Sequence, residues 1–258
     1  MRIVVKVGTS TLAHTTGRLN IRHVEELVKV LSDLKNAGHE MILVSSGAIG
    51  MGVGKLNLPF RPSDMPTKQA AAAVGQCELM YTYDRLFTQY GHTVAQILLT
   101  GDDIDHEDRR HNVENTMNRL LELGALPIVN ENDTVATAEI KVGDNDTLGA
   151  IVACSVQADL LVLLSDIEGL YTADPHRCSD AKLIHRVERV TKDIEALAGG
   201  AGSELGTGGM MTKIKAAKMV TANGCDMVIT NGNTPEKLYD IVEGKEIGTR
   251  FIRQEVDL

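Results

Sequence analysis

Short apolar runs alternate with amphipathic segments along most of the chain. The runs lie at residues 3–7, 41–44, 93–99, 126–129, 160–164 and 227–229. Short runs that are apolar on both faces are typical of buried parallel strands. Between them, apolar residues follow helical spacing, as in the helix predicted to begin after Asn20 and to end before Gly38. The pattern predicts an α/β fold, a three-layer αβα sandwich around a mainly parallel sheet.

The remaining segments predict further helices and two long connections. Helices are expected over about 68–90, over 145–156 and over 210–223, and another is expected to follow the acidic stretch 102–108 and to end near residue 124. A last short helix and strand are expected to finish near Phe251. Residues 50–66 are rich in Gly and Pro and predict a connection, and residues 174–209 predict a loop-rich section. No repeat or linker separates two halves, so we expect a single domain over residues 1–258.

Composition narrows the classes of function. With 43% hydrophobic and 24% charged residues, the chain resembles a globular protein. A net charge of −9 and the absence of Trp argue against nucleic-acid binding, which needs basic patches and stacking aromatics. No apolar run approaches the ~18 residues of a membrane span, and the N-terminus lacks the features of a signal peptide. The four cysteines form no CxxC pair, which predicts free thiols in a reducing cytoplasm.

Unusual polar and small residues follow four of the predicted strands. They occur at 6–10, 45–50, 130–133 and 165–166. In open α/β sheets, ligands bind at the carboxyl ends of the strands. We therefore expect these four segments to form one site.

Three segments have the form of a phosphate-binding turn, in which small residues precede a helix: 8–10, 46–48 and 206–213. An ordinary strand-to-helix turn explains any one of them, but three in one chain favour an anion site. Two common nucleotide motifs are missing. Residues 50–55 are too short for a Walker A loop, and the GTSTLA segment after Val7 is not GxGxxG. A P-loop enzyme and a Rossmann dehydrogenase are therefore disfavoured.

Several charged residues are candidates for the chemistry of this site. Lys6 interrupts an apolar strand, and Lys213 lies one turn into a predicted helix, where both could neutralise a phosphoryl group. Residues 144–146 place two carboxylates and an amide before a helix, where an N-cap explains only one of them. Together with Asp133, they could hold a substrate ammonium, orient the lysines or bind Mg²⁺ through water. The acidic stretch 102–108 predicts helix N-termini rather than a metal site.

Five segments spread over the chain resemble one known family. They are VVKVGTSTL at 4–12, VSSGAIGMG at 44–52, PIVNENDTVATAEIKVGDNDTLGAIVA at 127–153, LLVLLSDIEGLYTADP at 160–175 and GTGGMMTKIKAA at 206–217. They resemble the amino acid kinase family and, through NENDTVATAEIKVGDND, its members that phosphorylate glutamate. The resemblance implies transfer of the ATP γ-phosphoryl to the side-chain carboxylate of L-glutamate, the first step of proline synthesis, with Mg²⁺ carried by ATP.

The resemblance also implies a role for individual residues. The catalytic set would be Lys6, Lys213 and Asp146. The glutamate site would be Ser46, Gly47, Asp133, Asp144 and Asn145. The ATP site would be Lys6, Gly8, Ser165, Asp166, Thr207, Gly208, Gly209, Met210, Met211, Thr212 and Lys213. The family further implies a homo-oligomer, a dimer or tetramer, with proline as a possible feedback inhibitor. The additional C-terminal PUA domain of many members is expected to be absent.

Other interpretations remain open at this point. Acetylglutamate kinase, aspartokinase, carbamate kinase and UMP kinase share the glycine loops and lysines. The carboxylates Asp133 and Asp144 favour a substrate with a free ammonium group, which acetylglutamate lacks. A non-catalytic sensor of glutamate or proline is a second alternative, against which both lysines argue. A dinucleotide-dependent reductase is a third, disfavoured by the missing fingerprint.

Overall fold

A computed structural model describes residues 1–14, 18–136, 144–175, 177–198 and 209–255. Within these ranges the strands are β1 (Arg2–Val7), β2 (Glu40–Ser45), β3 (Val94–Leu99), β4 (Leu126–Glu131), β5 (Leu160–Ser165), β6 (Arg186–Val187), β7 (Asp226–Asn231) and β8 (Thr249–Phe251). The helices are α1 (Thr9–Leu12), α2 (Ile21–Asn36), α3 (Ala48–Lys55), α4 (Met65–Thr88), α5 (Gly101–Asp105), α6 (Glu107–Glu122), α7 (Asn145–Ser155), α8 (Lys192–Ala198), α9 (Met210–Ala222) and α10 (Lys237–Val242).

The strands form one sheet in the order β3-β4-β2-β1-β5-β7-β8-β6. The β7–β8 pair is antiparallel, and the other pairs are parallel. The strand β1 lies between β2 and β5, so the loops that follow these three strands are neighbours at one edge. The predicted mainly parallel sheet is confirmed.

Each face of the sheet is covered by helices and forms its own hydrophobic core. Val5 of β1 packs with Leu79 of α4 in one core, which also contains residues of α2 and α10. The neighbouring Val4 packs on the opposite face with Val152 of α7, together with residues of α6 and α9. Alternate residues of a strand point to opposite faces, so a strand that is apolar throughout is covered on both sides. This arrangement confirms the three-layer sandwich.

The predicted connection over residues 50–66 is wrong at its start, because α3 occupies Ala48–Lys55. Three glycines in eight residues concealed this helix, since glycine is a poor helix former. The glycines allow α3 to lie against the backbone of α4. A Cβ atom at Gly52 would lie 1.8 Å from the carbonyl oxygen of Ala71, and one at Gly75 would lie 1.7 Å from that of Ala48.

The loop-rich section and the acidic stretch also contain regular structure. β6 and α8 lie within residues 174–209, and both are too short to give a clear period in the sequence. In the acidic stretch, Thr100 and Asp103 form a capping box at the start of α5. Asp102, Glu107 and Asp108 lie in the first turns of α5 and α6. The predicted placement of these acids at helix N-termini is confirmed.

The close contact between α3 and α4 makes a prediction about stability. Gly52→Ala is expected to lower the free energy of unfolding by about 3 kcal/mol, because the added methyl group overlaps the Ala71 carbonyl and forces the helices apart. Urea unfolding measures the change. Gly50→Ala is the matched control in the same helix, since its Cβ would meet the Thr9 side chain at an ordinary 3.5 Å. Equal stabilities of the two variants would contradict the close packing.

Candidate active site

A cavity of about 520 Å³ lies where β1, β2, β4 and β5 end. Its position confirms that the unusual residues after these strands come together. The predicted site residues that line it are Lys6, Gly8, Ser46, Gly47, Asp133, Asp144, Asn145, Asp146, Ser165, Asp166 and Lys213.

The most buried charges of the cavity form a cluster of two lysines and one carboxylate. Lys6 Nζ of β1 lies 2.6 Å from Asp146 Oδ1, and Lys213 Nζ of α9 lies 2.9 Å from Asp146 Oδ2. The Asp146 side chain is 1% exposed, and those of Lys6 and Lys213 are 12% and 5% exposed. Buried charges need partners of opposite sign. One carboxylate therefore holds both ammonium groups beside the cavity.

The ionisation of Asp146 reflects two opposing effects. Burial alone would raise the pKa of its carboxyl group. The ammonium groups of Lys6 and Lys213 outweigh burial and hold the pKa below its ordinary value. Asp146 is therefore ionised at neutral pH, and the cluster carries one net positive charge. An anion that enters the cavity meets this charge in surroundings of low dielectric, where its attraction is strong.

Backbone amides add further positive potential around the cluster. Gly47 has φ +103°, in the left-handed region that favours glycine, and it caps the N-terminus of α3. Gly209 caps the N-terminus of α9, four residues before Lys213. Free N–H groups at a helix N-terminus attract anions. The helix that carries Lys213 and the helix that follows Ser46 thus both begin at this site.

A chain of hydrogen bonds joins the predicted glutamate site to α4. Asn145 Nδ2 donates to Ser46 Oγ at 2.6 Å and to Asn130 Oδ1 at 3.2 Å. Asn130 Nδ2 in turn donates to Gln76 Oε1 at 2.9 Å. Sequence reasoning had placed residues 130–133 at the site but had given Asn130 no role, and it missed Gln76, which lies 54 residues away along the chain. No local pattern identifies such a partner.

The two carboxylates predicted to meet the substrate ammonium differ in their surroundings. Asp144 caps α7, and its Oδ1 accepts from the backbone amides of Asp146 at 2.8 Å and Thr147 at 3.0 Å. Its Oδ2 accepts from the Thr147 hydroxyl at 3.1 Å. Asp144 therefore holds the helix that carries Asp146, in addition to lining the cavity. Asp133 lines the same cavity on the loop after β4 and is half-buried.

The predicted ATP-binding residues divide into three groups. Ser165 and Asp166 line the cavity, and the Ser165 hydroxyl donates to Asp166 Oδ1 at 3.0 Å. Residues 209–212 lie next to the cluster, and Thr212 Oγ1 is 3.2 Å from Asp146 Oδ2 and 2.8 Å from the Gly209 carbonyl. Met210 packs partly against the core, and Met211 is exposed. Thr207 and Gly208 lie outside the described residues.

The structure adds a cation that the sequence did not single out. Arg61, on the loop between α3 and α4, is exposed and lines the cavity. A lone arginine in a segment rich in Pro and Gly gives no signal by itself.

Within the described residues, no three His, Cys, Asp or Glu side chains gather into a group that could hold a metal ion. In the same part of the chain, no helix combines the length and the apolar character that a bilayer span requires.

Fold and site together define a class of protein. The sheet is mainly parallel, and at its strand ends Lys6 of β1 and Lys213 of α9 share the Asp146 carboxylate beside two helix N-termini. This arrangement is that of an α/β protein suited to bind phosphoryl groups. The chain belongs to the amino acid kinase family, whose sequence profile matches residues 1–231.

Several curated relatives resemble the chain over nearly its whole length. The glutamate 5-kinase of Clostridium tetani is 59% identical over 249 residues, which cover 96% of this chain and 93% of the relative. The glutamate 5-kinases of Clostridium perfringens and Listeria monocytogenes are each 53% identical, over 97% of this chain and 95% and 92% of their own lengths.

Solved structures resemble the fold at much lower identity. Carbamate kinase from Giardia lamblia bound to AMP-PNP superposes with a TM-score of 0.70 at 14% identity, and the match covers 98% of each chain. The isopentenyl phosphate kinase of T. acidophilum gives a TM-score of 0.63 at 18% identity, over 97% of this chain and all of the other. These likenesses confirm the fold of an amino acid kinase.

Proposed function

We propose that this chain is a kinase that transfers the γ-phosphoryl group of ATP to the side-chain carboxylate of L-glutamate. The products are ADP and L-glutamyl 5-phosphate, the first intermediate of proline synthesis. The observation that carries the proposal is the cluster of Lys6, Asp146 and Lys213 in the cavity at the strand ends. The high identity to glutamate 5-kinases supports glutamate as the acceptor.

The chemistry fits the groups that the cavity provides. A carboxylate oxygen of the substrate attacks the γ-phosphorus, and the bond to the β–γ bridging oxygen breaks, so ADP leaves with that electron pair. The attacking carboxylate is already an anion at neutral pH, and the reaction needs no general base. Catalysis then rests on positioning and on neutralising phosphoryl charge. Lys6 and Lys213 supply that neutralisation, and Asp146 holds them in place.

The rest of the cavity suits an amino acid substrate. Asp133, Asp144 and Asn145 offer acceptors for an ammonium group, and Ser46 and Gly47 offer donors for a carboxylate. Arg61 lies on the same cavity and is suited to the second carboxylate of glutamate. UMP, whose acceptor is a phosphate, would call for more basic residues near the acceptor.

Magnesium is expected to arrive with the nucleotide. Mg²⁺ usually keeps several waters and binds through substrate phosphates rather than in an all-protein cage. The described residues fit that mode, since Asp146 is held by two lysines and, within the described residues, no three His, Cys, Asp or Glu side chains gather into a group that could hold a metal ion. When bound, the ion neutralises charge on the transferring phosphate. Asp166, which is exposed at the end of β5 and lines the cavity, would hold a water of that ion.

Four broader expectations accompany this function as proposals. The four cysteines are free thiols, which suits a reducing cytoplasm. The single sheet on which the whole site is built suits a single kinase domain. The resemblance to the family supports a homo-oligomer and inhibition by proline.

The experiment that tests the proposal offers several acceptors to the purified protein with MgATP. L-glutamate, N-acetylglutamate, L-aspartate and UMP are each supplied together with hydroxylamine, which traps an acyl phosphate as a hydroxamate. We expect ADP and hydroxamate with L-glutamate and not with the other three. Activity with N-acetylglutamate instead would favour an acetylglutamate kinase, and binding of glutamate without turnover would favour the sensor.

A further inference from the structure

We propose that Gln76 is a positioning residue that holds Asn130 in place, so that Asn145 offers its oxygen and Ser46 its hydroxyl proton to the substrate. The inference rests on the proposed function, since it assigns the polarity of the proposed glutamate site. Gln76 does not line the cavity and is 6% exposed. It acts through the buried side chain of Asn130.

The orientation of Asn130 is fixed by a backbone group. The backbone amide of Glu131 can only donate, and it lies 2.9 Å from Asn130 Oδ1. The oxygen of the Asn130 amide must therefore face this N–H group. Its nitrogen must then face Gln76, so Gln76 has to present its oxygen, which lies 2.9 Å away. If the Asn130 amide were turned by 180°, its nitrogen would face the Glu131 N–H group, and if the Gln76 amide were turned, its nitrogen would face that of Asn130. Either change would bring two donors together.

The orientation of Asn130 in turn determines that of Asn145, which lines the cavity. With Asn130 Oδ1 as acceptor, Asn145 has to present its nitrogen, which lies 3.2 Å away. That nitrogen also donates to Ser46 Oγ at 2.6 Å. Asn145 thus uses both N–H groups inside the protein, and its oxygen remains as an acceptor for a substrate ammonium. Because Ser46 accepts from Asn145, its hydroxyl proton remains available to a substrate carboxylate.

Two features of α4 support a positioning role for Gln76 over a purely stabilising one. Gly75 lies in backbone contact with α3, which fixes the place of Gln76 along the helix. The Gln76 Nε2 atom is buried and has no hydrogen-bond partner among the described residues. An unpartnered buried donor costs stability. The presence of a glutamine at this buried position is therefore explained by its oxygen, which accepts a hydrogen bond from Asn130.

The test compares two substitutions of Gln76 with different hydrogen-bonding capacity. Gln76→Met keeps a side chain of similar length but offers Asn130 no oxygen, and Gln76→Glu restores the acceptor. We expect Gln76→Met to raise the KM for L-glutamate about tenfold or more, with the KM for ATP changed less than twofold. It should also reduce the preference for L-glutamate over glutarate, which lacks the ammonium group. In Gln76→Glu, both the KM for L-glutamate and the preference for L-glutamate over glutarate should lie much closer to the values of the unsubstituted protein.

A control separates positioning from loss of packing. Tyr83→Phe also removes a buried hydrogen bond of α4, the 2.8 Å contact between the Tyr83 hydroxyl and Ser45 Oγ of β2. It leaves the hydrogen bonds between Gln76, Asn130 and Asn145 intact. We expect its KM for glutamate to stay within twofold of the unsubstituted protein. A KM for glutamate in Gln76→Met within twofold of the unsubstituted protein would overturn the proposal. So would equal losses in Gln76→Met, Gln76→Glu and Tyr83→Phe. Failure of the proposed function is a separate result, visible as missing hydroxamate in the unsubstituted protein.

Discussion

Lys213→Ala is expected to lower the turnover number about 10²–10³-fold, the usual effect of removing one group that stabilises transition-state charge. The cluster now carries one net positive charge, from two lysines and Asp146. Without Lys213, the remaining Lys6 is neutralised by Asp146, and the net charge available to the phosphoryl group falls to zero. The effect should appear in kcat, since the charge on the transferring group develops during the reaction.

The fold should tolerate this substitution, because Asp146 keeps Lys6 as a partner. Initial-rate kinetics with MgATP and L-glutamate, together with thermal unfolding, measure the two effects separately. Lys215→Ala is the matched control, two residues further along α9 and exposed to solvent. A Lys213→Ala variant that turns over at the rate of the Lys215→Ala control would remove the central role assigned to Lys213.

Asp146→Asn is expected to be the most destabilising charge substitution in the cavity. It leaves two nearly buried ammonium groups facing one another without a counter-charge. Removing one partner of a buried ion pair typically costs about 3–5 kcal/mol, and we expect a loss of unfolding free energy in that range. Turnover should fall as well, because the lysines lose the carboxylate that positions them. Urea unfolding with and without MgATP measures the loss, and nucleotide should recover part of it through its own negative charge.

The pH dependence of stability gives an independent check on Asp146. Its pKa is lower in the folded protein than the ordinary value of 3.8. The ionised carboxylate therefore contributes its full stability above the unfolded pKa, and the contribution is lost as the pH falls through the folded pKa. The difference between the unsubstituted protein and Asp146→Asn should be constant near neutral pH and shrink below about pH 4. Asp84→Asn, at an exposed position of α4, is the control and should change stability by less than about 0.5 kcal/mol. A pH-independent difference down to pH 3 would contradict the assigned ion pairs.

The sheet and most of its helices could be predicted from the sequence because their signals are local. Continuous apolar runs identified the buried strands, and the carboxyl ends of those strands located the site. Lys6 stood out because a lysine in a buried strand needs an anionic partner. Residues 144–146 and Asp133 were candidates to orient the lysines, but Asp146 was singled out only through the resemblance to the family, since it lies 140 positions from Lys6 in the sequence.

The parts that the sequence concealed depend on contacts between distant segments. The helix α3 was hidden because its glycines, which disfavour a helix locally, are explained only by the backbone of α4 lying against them. Gln76 was missed for a related reason, since its role depends on Asn130 in β4, which lies 54 residues further along the chain. The sequence predicted that one of residues 144–146 caps a helix, and the hydrogen bonds show that this residue is Asp144, which was also predicted for the substrate ammonium.

The most direct test of the account follows an oxygen atom from substrate to product. L-glutamate labelled with ¹⁸O in its side-chain carboxylate is incubated with the protein, MgATP and hydroxylamine, and the released phosphate is examined by ³¹P NMR. Direct attack of the carboxylate on the γ-phosphorus keeps one substrate oxygen on phosphorus when hydroxylamine cleaves the acyl phosphate. We expect one ¹⁸O atom in each phosphate formed together with hydroxamate. Phosphate without ¹⁸O would show that the carboxylate is not the acceptor and would contradict the proposed reaction.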